Sequence, residues 1–327
     1  MEQLENVDIK ENYILKLNND LLAVLLTDRT TNKNLIWATD NYKDLGAKYY
    51  PESRISIDLI TGYHGNIIKP RVNKSKKEQQ DRVKNKAEVF TPSWICNKQN
   101  NLVDNAWFER DCIFNIEKDT TWETTKNKIQ FPNLVGKTWQ DYVRELRMEV
   151  SCGEAPYLTS RYDTVSGDYI EVKNRIGLYD RKLRVISENV DSEPEWMEYA
   201  IEATKSIYGY DWQGDNILLA RENLLFAFAE SYFEKFEVAP IIEHLLKIAE
   251  IISWNIFQMD GLKYVIPNSC KPIPKMQISL FSEDDKPEEC AGCVKGNNNK
   301  HTGIYVKVMN WETKRKIKFI SLINNKE

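Results

Sequence analysis

No apolar run in this chain approaches the roughly 20 residues that cross a bilayer, because charges break every hydrophobic stretch earlier. A membrane-spanning protein is therefore not expected. Positive excess is missing too. Lys and Arg total 45 against 49 Asp and Glu, a formal charge of -4, which does not suggest a protein that binds nucleic acid by mean electrostatics. Six cysteines scattered over 327 residues do not make a disulfide scaffold, and they read as cytosolic thiols of which two or more can bind metal. The opening MEQLENVDIKEN is charged and lacks the apolar segment of a signal peptide, so the expected location is the cytoplasm. What is present, 42% hydrophobic and 29% charged residues, suits one large α/β domain with appendages, or two domains.

Residues 1–60 mix an apolar run at 21–26 with polar turns, and read as a small, mainly helical N-terminal region. Residues 69–86 (KPRVNKSKKEQQDRVKNK) are basic with no apolar period. They are either a solvated linker or helix face, or a strip that holds DNA phosphates through Lys74, Lys76 and Lys77. Beyond them, residues 146–150 form a short strand-like run ending in Ser-Cys-Gly, and residues 161–189 look polar and hairpin-like. Asp215 can start a long helix running to about Phe236, and Pro240 precedes apolar residues at helical spacing from Ile241 to Ile252. A strand at 253–258 then meets Asp260-Gly261. Strands alternating with helices predict a parallel sheet wound with helices on both faces.

Three strand ends carry the chemistry. MEVSCGEAPYL (148–158) puts a small-residue turn after a strand, as a nucleoside-type cofactor requires at the carboxyl edge of a first strand. SIYGYDWQGDN (206–216) ends an apolar strand in Asp211, placed to take ribose hydroxyls, with Trp212 beside it as an apolar wall for adenine. NIFQMDGL (255–262) ends in Asp260. Taken singly, each reads equally as an ordinary turn or a helix cap.

Here the chain resembles a known family. AEVFTPSW (87–94) is similar to the Phe-Thr-Pro element that precedes the core of adenine-N6 DNA methyltransferases and lies against the cofactor. Residues 148–158 resemble their first motif, an acid followed by Ala-Cys-Gly-x-Gly-x-Phe-Leu. Residues 208–225 resemble the second motif and residues 259–262 the third. The resemblance covers about 87–268 and is close in order and texture to the M subunits of restriction–modification systems. It implies a Rossmann-like core binding S-adenosylmethionine through Phe90, Thr91, Pro92, Glu149, Cys152, Gly153, Ala155, Asp211, Trp212 and Asp260. In that correspondence Glu149 lies near the methionine end, Ala155 replaces the second glycine, Tyr157 takes the aromatic position and Asp260 approaches the adenine amino group. Two departures stand out. The stretch between the first two motifs is longer than the family's, so residues 163–194 read as an insertion. The catalytic loop, an acid, Asn or Ser followed by Pro-Pro-aromatic, is missing, because none of the eleven prolines adjoins another. The run IKFISLINN (317–325) resembles the strand that leads into that loop.

Between the third motif and that strand, CAGC (290–293) is followed by His301 and preceded by Cys270, a Cys/His set suited to tetrahedral zinc. The surrounding residues 282–300 are too polar to order by apolar burial, the setting in which a metal contributes most. A rival site, GDYIEVK (167–173), has the acid…Glu-x-Lys spacing of metal-dependent nucleases at Glu171 and Lys173, or is a solvated hairpin.

The expected organisation is thus an N-terminal helical region with a basic linker (1–86), a methyltransferase core (87–268), and a zinc-binding segment with a C-terminal strand (269–327). The expected function is adenine-N6 methylation of DNA, with a second protein chain completing the enzyme or supplying sequence specificity. The alternatives are a non-catalytic cofactor- and DNA-binding subunit, or a nuclease. Phosphate contacts would come from 69–86, with Lys314, Arg315, Lys316 and Lys318 as further candidates.

Overall fold

A computed structural model describes residues 7–86, 88–273 and 288–324. The chain opens with helices α1 (Glu11–Leu17) and α2 (Asn19–Leu26), the second capped by the Asn18 side chain, which accepts from the Asp20 and Leu21 amides. A two-residue hairpin, β1 (Thr27–Asp28) and β2 (Lys33–Asn34), leads into 3₁₀ turns and then α3 (Lys76–Lys86). Helix α4 (Ser93–Phe108), the hairpin β3 (Asn115–Lys118) and β4 (Thr121–Thr124), and the short α5 (Trp139–Arg144) come next.

The centre is a parallel three-stranded sheet. Strand β5 (Arg147–Val150) crosses over through α6 (Leu178–Asn189) and α7 (Glu193–Lys205) to β6 (Ile207–Asp211). That strand crosses through α8 (Gly214–Phe236) and α9 (Ile242–Asn255) to β7 (Ile256–Gln258). The order is β5-β6-β7, with Glu149 opposite Gly209 and Asp211 opposite Gln258. After β7 come α10 (Ala291–Lys295), the antiparallel pair β8 (Lys307–Asn310) and β9 (Arg315–Lys318), and α11 (Phe319–Asn324). The protein is thus mixed α/β, with one small parallel sheet. Among the described residues no helix is long and apolar enough to cross a membrane.

Helix α8 is buried on every side from Gly214 to Tyr232, its polar residues such as Asp215, Arg221 and Glu230 included. Its contacts explain why residues 1–60 do not form a separate core. Leu21, Leu22, Leu25 and Leu26 of α2 belong to one apolar cluster with α6 to α9, and Arg221 of α8 donates to the carbonyls of Leu25 and Thr27. A Cβ on Gly214 would lie 2.0 Å from the Ile36 carbonyl oxygen, so only glycine admits the N-terminal segment there. The Gln258 side chain then joins both backbone groups of Ile36.

Three expectations need correction. Residues 253–255 finish α9 instead of starting a strand, because Asn255 turns its amide onto the carbonyls of Thr204, Lys205 and Ile207. Residues 161–189 are hairpin-like only at the Tyr162–Tyr169 bridge and then form α6. Charge hid that helix: Arg181 is buried against Asp104 at 2.6 Å, and Lys182 against the Val143 carbonyl at 2.9 Å and the Ser206 hydroxyl at 2.6 Å. The C-terminal run is strand only to Lys318, after which Phe319 buries itself beside Tyr210, Phe257 and Tyr264 and starts α11. Asn325 lies outside the described residues.

Candidate functional site

A cavity of about 810 Å³ opens at the carboxyl ends of β5 and β6. Its walls gather Phe90, Thr91, Glu149, Cys152, Gly153, Asp211 and Trp212 from three separate stretches of chain. The turn after β5 makes this possible. Ser151, Gly153 and Ala155 all take positive φ, at 52°, 51° and 63°. That folds residues 151–158 back so that the amide of Leu158 reaches Glu149 and that of Gly153 reaches Asp211, the latter at 3.0 Å. Ala155 therefore keeps the left-handed backbone a glycine would favour, but it is wholly buried beneath the turn and does not line the cavity.

Asp211 bridges the two strand ends. One oxygen accepts from Gly153 and the other from Gln213 at 2.8 Å, leaving further lone pairs free. Burial pushes its carboxyl up to about 6, against those two amides, which pull it down. Glu149 is driven well above the usual carboxylate range by burial, opposed by the amides of Tyr157 and Leu158. Trp212 donates through Nε1 to the Ala38 carbonyl, and so fixes its ring on the cavity wall. Phe90 is held from behind by the Arg71 guanidinium, 5.1 Å from its ring centroid. Asp163 and Thr164 hold the Phe-Thr-Pro element: Asp163 caps α4 through Ser93, and the Thr164 hydroxyl donates to Thr91. Pro92 sits at the start of α4 and does not line the cavity.

The remaining walls come from segments in which no site was expected. Ala38, Thr39, Asp40 and Glu52 enter from the N-terminal segment, Glu88 from before the Phe-Thr-Pro element, and Asn268 from beyond β7. The lining thus holds six acids (Asp40, Glu52, Glu88, Glu149, Glu154 and Asp211) and, among the described residues, no lysine, arginine or histidine. Two buried lining atoms, Thr39 Oγ1 and Asn216 Oδ1, lack a hydrogen-bond partner. Such a cavity repels phosphate and offers acceptors to a cation carrying hydroxyl groups. No protein-family model, curated protein or solved structure matches the chain.

Asp260 stays outside the cavity. Its carboxylate caps its own turn, accepting from the amides of Leu262 and Lys263. Lys74 is misplaced as a surface phosphate contact: it is 5% exposed, and its Nζ is buried without a hydrogen-bond partner. Arg82 from the same basic stretch is buried too, paired with Asp215 at 2.6 Å and Glu88 at 3.1 Å, and this pins α3 beside the cavity. Lys76 and Lys77 do face solvent. Glu171 and Lys173 pair with each other at 2.9 Å on the surface and belong to no metal-holding group among the described residues.

A second site is a cluster of three cysteines and a histidine. The ligand atoms of Cys270, Cys290, Cys293 and His301 all lie within 4.8 Å of one another and can hold a metal ion. His301 Nδ1 is 3.7 Å from the Cys270 sulfur and 3.6 Å from each of the other two. Helix α10 begins between the paired cysteines, and the Thr302 amide donates to the Cys290 sulfur at 3.2 Å. Glycine between the cysteines is obligatory here, because a Cβ on Gly292 would fall 2.6 Å from His301 Nδ1. Residues 282–287 of this segment lie outside the described residues.

Proposed function

We propose that the cavity binds S-adenosylmethionine and that the chain carries the cofactor half of an adenine-N6 DNA methyltransferase, of the modification type found in restriction–modification systems. One observation carries the reading: a six-acid cavity without a basic residue forms where three motif-like segments meet. S-adenosylmethionine presents a sulfonium and an ammonium, which suit such walls, whereas the pyrophosphate of a dinucleotide does not. Asp211 and the unpartnered Thr39 and Asn216 oxygens offer acceptors and a hydroxyl to the ribose. Trp212 and Phe90 supply flat apolar walls, and the acids at the β5 end face the cationic portion.

When bound, the cofactor supplies an activated methyl group. The chain's own contribution is to hold that group in line, exclude water and keep the carboxylates oriented through backbone amides. An adenine pocket must come from elsewhere, because these residues contain no Pro-Pro-aromatic loop to stack a flipped base. That same absence favours, as a second reading, a cofactor-binding DNA-recognition subunit without catalysis of its own. Calorimetry with S-adenosylmethionine and with a dinucleotide tests the cavity. Transfer of labelled methyl groups to duplex DNA, with and without the product of an adjacent reading frame, separates the two readings. No affinity for S-adenosylmethionine at millimolar concentration would end both.

The four-ligand cluster is proposed to hold zinc in a structural role. A tetrahedron with arms of about 2.3 Å to sulfur and about 2.05 Å to nitrogen sets S and N about 3.6 Å apart. The distances found are 3.6, 3.6 and 3.7 Å. Four protein ligands leave no open position for catalysis.

A further inference from the structure

Among the described residues a dense run of unpaired positive charge lies on the β8–β9 hairpin, where the basic stretch at 69–86 has part of its charge paired or buried. Lys307, Lys314, Arg315, Lys316 and Lys318 are all exposed, and within 307–318 only Glu312 is acidic. None of the five forms an ion pair among the described residues. By contrast Lys69 is paired with Glu78, and Arg82 with Asp215 and Glu88. The register places Lys307 directly opposite Lys318, and Met309 opposite Lys316, so three lysines share one face. Like charges opposed across a ladder destabilise it, and an anion lying over both reverses the sign. Aromatic rings support this face: the Lys316 ammonium lies 4.8 Å from the Trp254 ring and that of Lys318 5.3 Å from Tyr305.

The hairpin is a fixed platform. Val308 and Ile317, on its other face, pack into an apolar cluster with Ile36 and Ala38, and Ala38 also lines the cofactor cavity. The Lys307 amide is tied to the Thr30 hydroxyl at 2.9 Å.

We infer that this hairpin face binds the phosphate backbone of duplex DNA, through Lys307, Lys316 and Lys318 with Lys314 in the turn beside them. The inference deepens the methyltransferase reading by naming the surface that meets the substrate. Charge complementarity selects a polyanion. A rigid strand pair, with its rings already covered by lysine and with no apolar wedge, suits a groove-flanking phosphate row better than a lipid surface.

The test is fluorescence anisotropy of a labelled duplex, with the whole chain, between about 50 and 200 mM salt. The variant Lys314→Gln/Lys316→Gln/Lys318→Gln is expected to bind about tenfold or more weakly. The slope of log affinity against log salt should fall by about two to three. Lys76→Gln/Lys77→Gln should match the unaltered protein, and Lys314→Arg/Lys316→Arg should retain both affinity and slope. Unchanged affinity and slope in the triple variant overturn the inference. So does equal or tighter binding of phosphatidylserine vesicles by the unaltered protein. S-adenosylmethionine titration of the same triple variant is expected to be unchanged. Its failure in every protein would sink the cofactor reading, while the DNA result stands on its own.

Discussion

Acidity should control how tightly the cavity holds a cationic cofactor. Asp211 titrates at about 6 because it is buried, so it is about one-tenth ionised at pH 5 and about nine-tenths ionised at pH 7. A cation that pairs with the ionised form should therefore bind about tenfold more weakly at pH 5 than at pH 7. Burial raises the Glu149 carboxyl as well, so it acts in the same direction. Calorimetry at pH 5, 6 and 7, in paired buffers of different protonation heat, measures the affinity and the protons released together. Asp211→Asn gives the internal control. The gap between about 6 and the roughly 3.9 of an unfolded chain corresponds to about 3 kcal/mol, the cost of burying that charge. The amide removes this cost but turns an NH₂ toward an amide of Gly153 or Gln213, at about 1–3 kcal/mol. The two nearly cancel in stability, so the variant should fold, bind about 1–3 kcal/mol more weakly and lose most of the pH dependence. In the empty protein the sign is opposite. Asp211's contribution to stability is full below about 3.9 and is lost as pH rises through about 6. Affinity constant from pH 5 to 7, or proton uptake on binding, would refute the reasoning.

Purified protein should carry about one zinc per chain, lost in Cys290→Ser/Cys293→Ser; metal-free protein prepared without chelators would contradict this, as read by elemental analysis. Gly292→Ala should lower zinc content as well, since its methyl group meets His301 Nδ1 at 2.6 Å. Ala155→Gly should change stability by less than about 1 kcal/mol in chemical denaturation, because relief of a positive φ is offset by the lost buried methyl and the added chain entropy. On its own the chain should methylate duplex DNA poorly or not at all; rapid adenine labelling would mean that another segment supplies the base pocket.

Much of the architecture was readable because apolar spacing reports burial. The Leu, Ala and Phe richness of α8, the periodicity of α9 and the run into Cys152 all marked real elements. What failed was wherever charge is buried. Asp180, Arg181 and Lys182 made α6 look like a polar hairpin, although each is paired inside the fold. Composition likewise marked residues 69–86 as basic but could not tell that Lys74 and Arg82 point inward. The acids of strands β5 and β6 could be found from their strand ends. Thr39, Asp40, Glu52 and Asn268 could not, since they sit in irregular loops whose only signal is proximity to a wall more than a hundred residues away in most cases. Asp260 carried the right position in sequence, yet its carboxylate is spent on its own turn.

The seam between Ile36 and Gln258 spans 222 residues, and the Arg221 contact with Leu25 spans 196. Closing loops of that length is entropically costly, so these contacts follow rather than lead the assembly of the sheet. During synthesis α2 leaves the ribosome long before α8 and β7 exist to cover it. Leu21, Leu22, Leu25 and Leu26 must then wait as an exposed apolar stripe, and at roughly 5–20 residues per second that wait lasts on the order of ten seconds or more. Holding factors that bind short apolar helices would find their substrate in that interval, and synonymous changes that slow translation before residue 258 would lengthen it.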